Sequence, residues 1–98
     1  MFIYEESGDG VLTVKPQERL DTLTSPEIDK FLADKYGAFR QIVFDLEKVD
    51  YISSAGLRLL VQAHKNMKDK GGVLMRHVCP QVIETLTLTG YVHVLKIE

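Results

Sequence analysis

Two serines open an apolar run that reads Ser53-Ser54-Ala55-Gly56-Leu57-Arg58-Leu59-Leu60. A hydroxyl at a helix start has two chemical uses. It can cap the helix by accepting from the free N–H groups of the first turn, which contributes on the order of 1 kcal/mol. It can also face outward, in a loop that another molecule approaches. Ala55 and Gly56 leave the backbone uncovered, so another molecule can come close. The first-turn N–H groups and the helix dipole favour an anion at the same place. A purely structural account fits as well, with one serine as the cap and Gly56 as a packing residue. The pattern alone leaves both open.

Other chemistry is hard to find. An enzyme needs an acid/base pair or an activated nucleophile. The three histidines are His64, His77 and His93. Nothing in their spacing brings one to Ser54, and each reads as a packing or surface residue. No phosphate loop of the Gly-x-x-x-x-Gly-Lys-Ser/Thr type exists. The one cysteine, Cys79, can form no disulfide within the chain and no zinc set. It reads as a small filler beside Pro80. We therefore expect no catalytic residue, no metal and no cofactor.

Composition narrows the class further. The 98 residues are 45% apolar and 27% charged, close to average globular usage. Twelve basic and 14 acidic residues leave a formal charge of −2. That balance offers no clustered basic surface for nucleic acid. The basic stretch Lys65 to Lys70 reads as a solvated helix face. No apolar run is long enough to span a bilayer, and the first ten residues lack the regions of a signal peptide. A reducing, cytoplasmic setting is the expectation.

The elements that must hold the serines follow from two hydrophobic periods. Phe2 to Glu6 and Val11 to Val14 read as strands around an Asp-Gly turn, so they predict an antiparallel hairpin. Ser25, Pro26 and Glu27 fit the N-cap, the first position and the first turn of a helix. Its apolar face runs through Ile28, Phe31, Leu32 and Tyr36, and Gly37 supplies the stop. Gln41 to Leu46 predicts a strand buried on both faces. Ser54 to Lys70 predicts a long helix with Leu57, Leu60, Val61 and His64 on one face, ended by Gly71-Gly72. A strand over Val73 to Val78 follows. A helix over Pro80 to Leu88 carries Val82, Ile83, Leu86 and Leu88. A final strand covers Tyr91 to Ile97. The order ββαβαβαβ implies an α/β fold, a mostly parallel five-stranded sheet with helices packed on it. Residues 1–98 read as one domain. The two serines then lie at the carboxyl end of a central strand, where open α/β sheets place functional loops.

The run Val49 to Leu60 resembles the signature of the STAS family, whose bacterial single-domain members are anti-sigma factor antagonists. That signature is Asp-Ser-Ser or Asp-Ser-Thr, then Gly-Leu-Gly, at the start of the second helix. Matching on Gly56-Leu57 puts Ser54 at the family's phosphorylated serine. Ser53 falls where the family usually has Asp, Ala55 where it has Ser or Thr, and Arg58 where it often has Gly. Arg19 to Glu27 is similar to the family's Gly-x-Leu-Asp stretch, and Ile83 to Ile97 resembles its last helix and strand. The resemblance covers essentially the whole chain.

The resemblance implies a partner-binding switch, with no active site of its own. The unmodified protein would bind an anti-sigma factor that is often also a serine kinase. Phosphorylation of Ser54 would break that association, and a serine phosphatase would restore it. Ser53 is a rival acceptor. The implied contact surface comprises Asp21, Thr24, Ser53, Ser54, Ala55, Gly56 and Arg58. Asp21 has an equal claim as a turn cap, and Thr24 as a helix-start residue. Arg58, one turn beyond Ser54, can reach a phosphate or pair on the surface. A ligand- or lipid-handling or sensory-complex subunit of the same family, not controlled by phosphorylation, is the alternative function.

Overall fold

The computed structural model describes residues 1–98. Its elements run β1 (Phe2–Glu6), β2 (Val11–Pro16), α1 (Ser25–Leu32), β3 (Gln41–Asp45), α2 (Ser54–Met67), β4 (Val73–Arg76), α3 (Pro80–Leu88), a 3-10 turn (Tyr91–His93) and β5 (Lys96–Ile97). The sheet order is β1-β2-β3-β4-β5. β1 and β2 pair antiparallel, and every other pair is parallel. The expected mixed, mostly parallel α/β architecture is therefore present.

The register explains which side chains meet. Leu12 stands opposite Ile42 and Val14 opposite Phe44, while Ile42 and Phe44 stand opposite Val73 and Met75. Alternation along a strand puts all six on one face. All belong to one core cluster, which also takes Ile28 and Leu32 from α1, Leu57, Leu60, Ala63 and Met67 from α2, and Val82 and Leu86 from α3. The helices thus share one face of the sheet. Thr13, Val43 and Leu74 align on the other. Val43 is still only 2% exposed, so β3 is buried on both sides as its composition predicts.

Several element ends differ from the sequence expectation, and the helix ends and the end of β4 do so for a local reason. α1 stops at Leu32, well before Gly37. Its apolar period continues, but Lys35 N–H donates to Leu32 and Ala38 N–H to Lys35, tight turns that lay Tyr36 and Phe39 against the core. Its N-cap is Thr24, and Ser25 is the first helical residue. α2 ends at Met67, because Gly72 (φ +82°) turns back to donate to the Met67 carbonyl. Leu88 is exposed outside the core, and Val61 and His64 are only half-buried. β2 runs two residues past Val14, to Pro16. β3 stops at Asp45, one residue before Leu46. β4 stops at Arg76, because His77 adopts φ +55°.

The last segment departs most. YVHVLKI alternates like a strand, yet its first three residues form a 3-10 turn and only Lys96–Ile97 pair with β4. Gly90, at φ +82°, redirects the chain out of α3. The Tyr91 carbonyl then accepts from both Val94 and Leu95 N–H. This turn delivers Leu95 into the core at 4% exposure.

Candidate functional site

The loops following β2 and β3 lie side by side at the carboxyl end of those strands. Leu20 and Ile52 form an isolated parallel bridge. Leu20 N–H donates to the Tyr51 carbonyl at 3.1 Å, and Ser53 N–H to the Leu20 carbonyl at 2.9 Å. α2 starts directly on this bridge. A Cβ on Gly56 would lie 2.6 Å from Ile52 Cγ1, 2.7 Å from the Leu20 carbonyl oxygen and 2.8 Å from Leu20 Cβ. Only glycine lets the helix start sit that close. Gly56 is buried, so its role here is packing.

The two serines stand in different settings. Ser53 is the N-cap, and its Oγ accepts from Ala55 N–H at 3.2 Å and Gly56 N–H at 3.4 Å. Its main-chain carbonyl accepts from Leu57 N–H at 2.9 Å. Ser54 is the first residue of α2 and is exposed. Its hydroxyl takes no part in the cap. Ala55 beside it is half-buried, and Arg58, one turn on, is exposed.

The loop before α1 is a self-contained turn. The Asp21 carboxylate accepts from Leu23 N–H at 2.9 Å and Thr24 N–H at 3.0 Å. The Thr24 hydroxyl accepts from Asp21 N–H at 3.0 Å and donates to the Arg19 carbonyl at 2.6 Å. The Thr24 and Leu23 amides, with the Thr24 hydroxyl and the Arg19 guanidinium, hold the Asp21 carboxyl below its usual range, against a partial desolvation cost. Both residues are thus committed to shaping the loop. This fits the capping alternative for Asp21 and the helix-start alternative for Thr24.

Two clefts flank Arg58. One, of about 270 Å³, lies between α1 and α2 and is lined by Ser25, Asp29, Ala55, Arg58 and Gln62 among others. The Ser25 hydroxyl is buried there without a hydrogen-bond partner. The second, of about 330 Å³, runs along α2 past Ser54, Arg58, Gln62 and Lys65 to Tyr91.

Two exposed apolar side chains escaped the sequence argument. Leu23 is 87% exposed and Tyr51 is 50% exposed, one on each of the paired loops. The Arg19 guanidinium lies 5.7 Å from the Tyr51 ring centroid. The available signal was a large apolar residue inside an otherwise polar turn, in DTLTS and in VDYISS.

No histidine is hydrogen-bonded to either serine. His64 is half-buried in α2 and His93 sits in the 3-10 turn. His77 Nδ1 lies 2.8 Å from Asp45 Oδ1. The Asp45 hydrogen bond raises the His77 pKa. Burial pushes the Asp45 carboxyl up, but His77 and the Glu47 amide outweigh it and the net direction is down. Cys79 Sγ points at the Val49 carbonyl, 3.4 Å away. No group of three His, Cys, Asp or Glu side chains is arranged to hold a metal. No helix is long and apolar enough to cross a membrane.

Comparison with known proteins bears directly on this arrangement. The family model described as STAS domain matches residues 5–98. BtrV of Bordetella bronchiseptica, whose name assigns it as an anti-sigma factor antagonist, is 28% identical over 89 residues, covering 90% of this chain and 71% of BtrV. The crystal structure of TM1081 of Thermotoga maritima, titled with the same role, superimposes with a TM-score of 0.87 at 24% identity, over 98% of this chain and 84% of that one. SpoIIAA, titled an anti-sigma factor antagonist in its unphosphorylated form, has a TM-score of 0.80 at 14% identity, over 100% of this chain and 87% of that one. Its phosphorylated form, titled a Bacillus cell fate determinant, has a TM-score of 0.79 at 15% identity, over 100% and 91% of the two chains.

Proposed function

Because this chain belongs to the STAS-domain family, we propose that it is an anti-sigma factor antagonist whose association is switched by phosphorylation of Ser54. The single observation that carries the reading is the division between the two serines. Ser53 is spent on capping α2, and Ser54 presents a free hydroxyl to solvent at the first helical residue. A kinase needs such a hydroxyl. The name carried by BtrV supports the partner class.

The unmodified chain docks on an anti-sigma factor through the surface around Ser54. Exposed Tyr51 supplies an aromatic contact there, of the kind that anchors interfaces, and exposed Leu23 adds apolar area. With the anti-sigma factor occupied, its sigma factor is free for transcription. This chain is a substrate rather than an enzyme. The partner's kinase activity transfers a phosphoryl group from a nucleoside triphosphate. The bond from Ser54 Oγ to phosphorus forms as the bond to the diphosphate breaks, and the hydroxyl proton passes to the kinase's base. The product carries about −1.5 to −2 charges at neutral pH. A helix start tolerates that charge locally, so the fold persists. An interface shaped for a hydroxyl does not tolerate it. Each loss of about 1.4 kcal/mol weakens binding tenfold. A serine phosphatase resets the site by hydrolysis.

The test is mass spectrometry of the chain from its own host, with and without Ser54→Ala, paired with binding of unmodified and Ser54→Asp forms to the anti-sigma factor. We expect one phosphate, lost in Ser54→Ala, and at least tenfold weaker binding by Ser54→Asp. Equal binding by both forms would remove the switch.

A further inference from the structure

Arginines in this fold are paired, with one exception. Arg19 has Asp21 at 3.9 Å, Arg40 has Asp9 at 3.2 Å, and Arg76 has Glu98 at 3.0 Å. The fourth, Arg58, has no carboxylate within ion-pair distance, although the chain carries 14 acidic residues. It sits on α2, whose 14 residues SAGLRLLVQAHKNM include no Asp or Glu. The one carboxylate lining a cleft with it is that of Asp29, on α1 across the 270 Å³ cleft, and the two do not pair.

On its other side Arg58 shares the second cleft with Ser54. The two are four residues apart, so they lie on the same helix face about 5–6 Å apart at Cβ. Both are exposed. A guanidinium offers five N–H donors in a planar fork that suits phosphate oxygens. Lys65, the next cation in that cleft, is 11 residues from Ser54, about 16 Å along the axis, too far to compete. Tyr91 also lines this cleft.

We propose that Arg58 is the internal counter-ion of phosphorylated Ser54, an unpaired cation held in reserve on the same face until the phosphate arrives. This rests on Ser54 being the modified residue, and it deepens that reading by naming what holds the modified state. The pair would shield the phosphate from the phosphatase and lengthen the released state. It would also withdraw Arg58 from any partner carboxylate that it meets in the unmodified complex.

The decisive experiment installs phosphoserine at position 54 of the full chain during translation and follows the phosphate by ³¹P NMR across its second ionisation. This is independent of any kinase, so it separates the pairing from the question of modification in the host. Losing a neighbouring cation raises the pKa of an acid. Arg58→Gln should therefore move the midpoint upward by about half a unit, the size expected of an exposed ion pair, and Arg58→Lys should restore part of the shift. Lys65→Gln should leave it unchanged. A merely structural role for Arg58 would not move this titration. Equal midpoints for the parent and Arg58→Gln chains would overturn the proposal, as would a shift produced by Lys65→Gln alone.

Discussion

A hydroxyl that caps a helix and a hydroxyl that waits beside it are chemically the same group, and only the backbone tells them apart. Ser53 has extended backbone angles (φ −91°, ψ 179°), which turn its oxygen onto the first-turn amides. Ser54 is already helical, so its oxygen is turned away from them. Replacing Ser53 with Ala should cost about 1 kcal/mol in urea unfolding. Ser53→Asp, whose carboxylate is an equally good cap, should keep it. Ser54→Ala should change stability by less than about 0.5 kcal/mol, as for other exposed sites. Gly56→Ala should cost more than either, about 1–3 kcal/mol, because its Cβ meets the Leu20 carbonyl at 2.7 Å. At this scale the sequence was informative about residue types and silent about their division of labour. Ser-Ser-Ala-Gly announces a helix start. Which serine caps depends on where the Leu20–Ile52 bridge fixes the chain.

Elements end where side chains compel them, and these ends were the least legible part. Gly37 looked like the stop for α1, but the helix yields earlier so that Tyr36 can pack. Burial drives the Tyr36 hydroxyl pKa up to about 12. YVHVLKI carries the period of a strand, and nothing local reveals that Leu95 must reach the core through a 3-10 turn. The end of β4 has a titratable consequence. His77 takes a left-handed conformation (φ +55°), rare for a residue other than glycine, and bonds to Asp45. The raised His77 pKa means that its contribution is complete below the ordinary value of 6.5 and fades as pH rises through the shifted one. The lowered Asp45 pKa means that its contribution is complete above 3.8 and fades as pH falls through the shifted one. Thermal melts should therefore show the pair's support between about pH 4 and pH 6.5, declining as pH rises through the raised His77 pKa. His77→Asn, which tolerates the backbone angle, should flatten that decline.

For the molecule as a whole, two layers suffice because the helices share one sheet face. The repeated alternation of strand and helix after Gln41 made this topology readable, since parallel neighbours need crossovers. Invisible from the sequence was the meeting of two distant turns, around Leu20 and Ile52, under the first turn of α2. Their exposed Leu23 and Tyr51 are separated by 28 positions in the chain and emerge at one end of the fold.

That meeting has a mechanical meaning. Hydrogen bonds from Leu20 and Ser53, and the backbone contact at Gly56, clamp both turns and the helix start into one stiff block. A block so tied should keep its arrangement when charge lands on its surface. Amide exchange at Leu20, Ser53 and Leu57 should therefore be the same, within about twofold, before and after phosphate is added, as expected where no local opening is gained. The signal would then pass outward through what the neighbouring molecule feels, with the messenger itself keeping its shape.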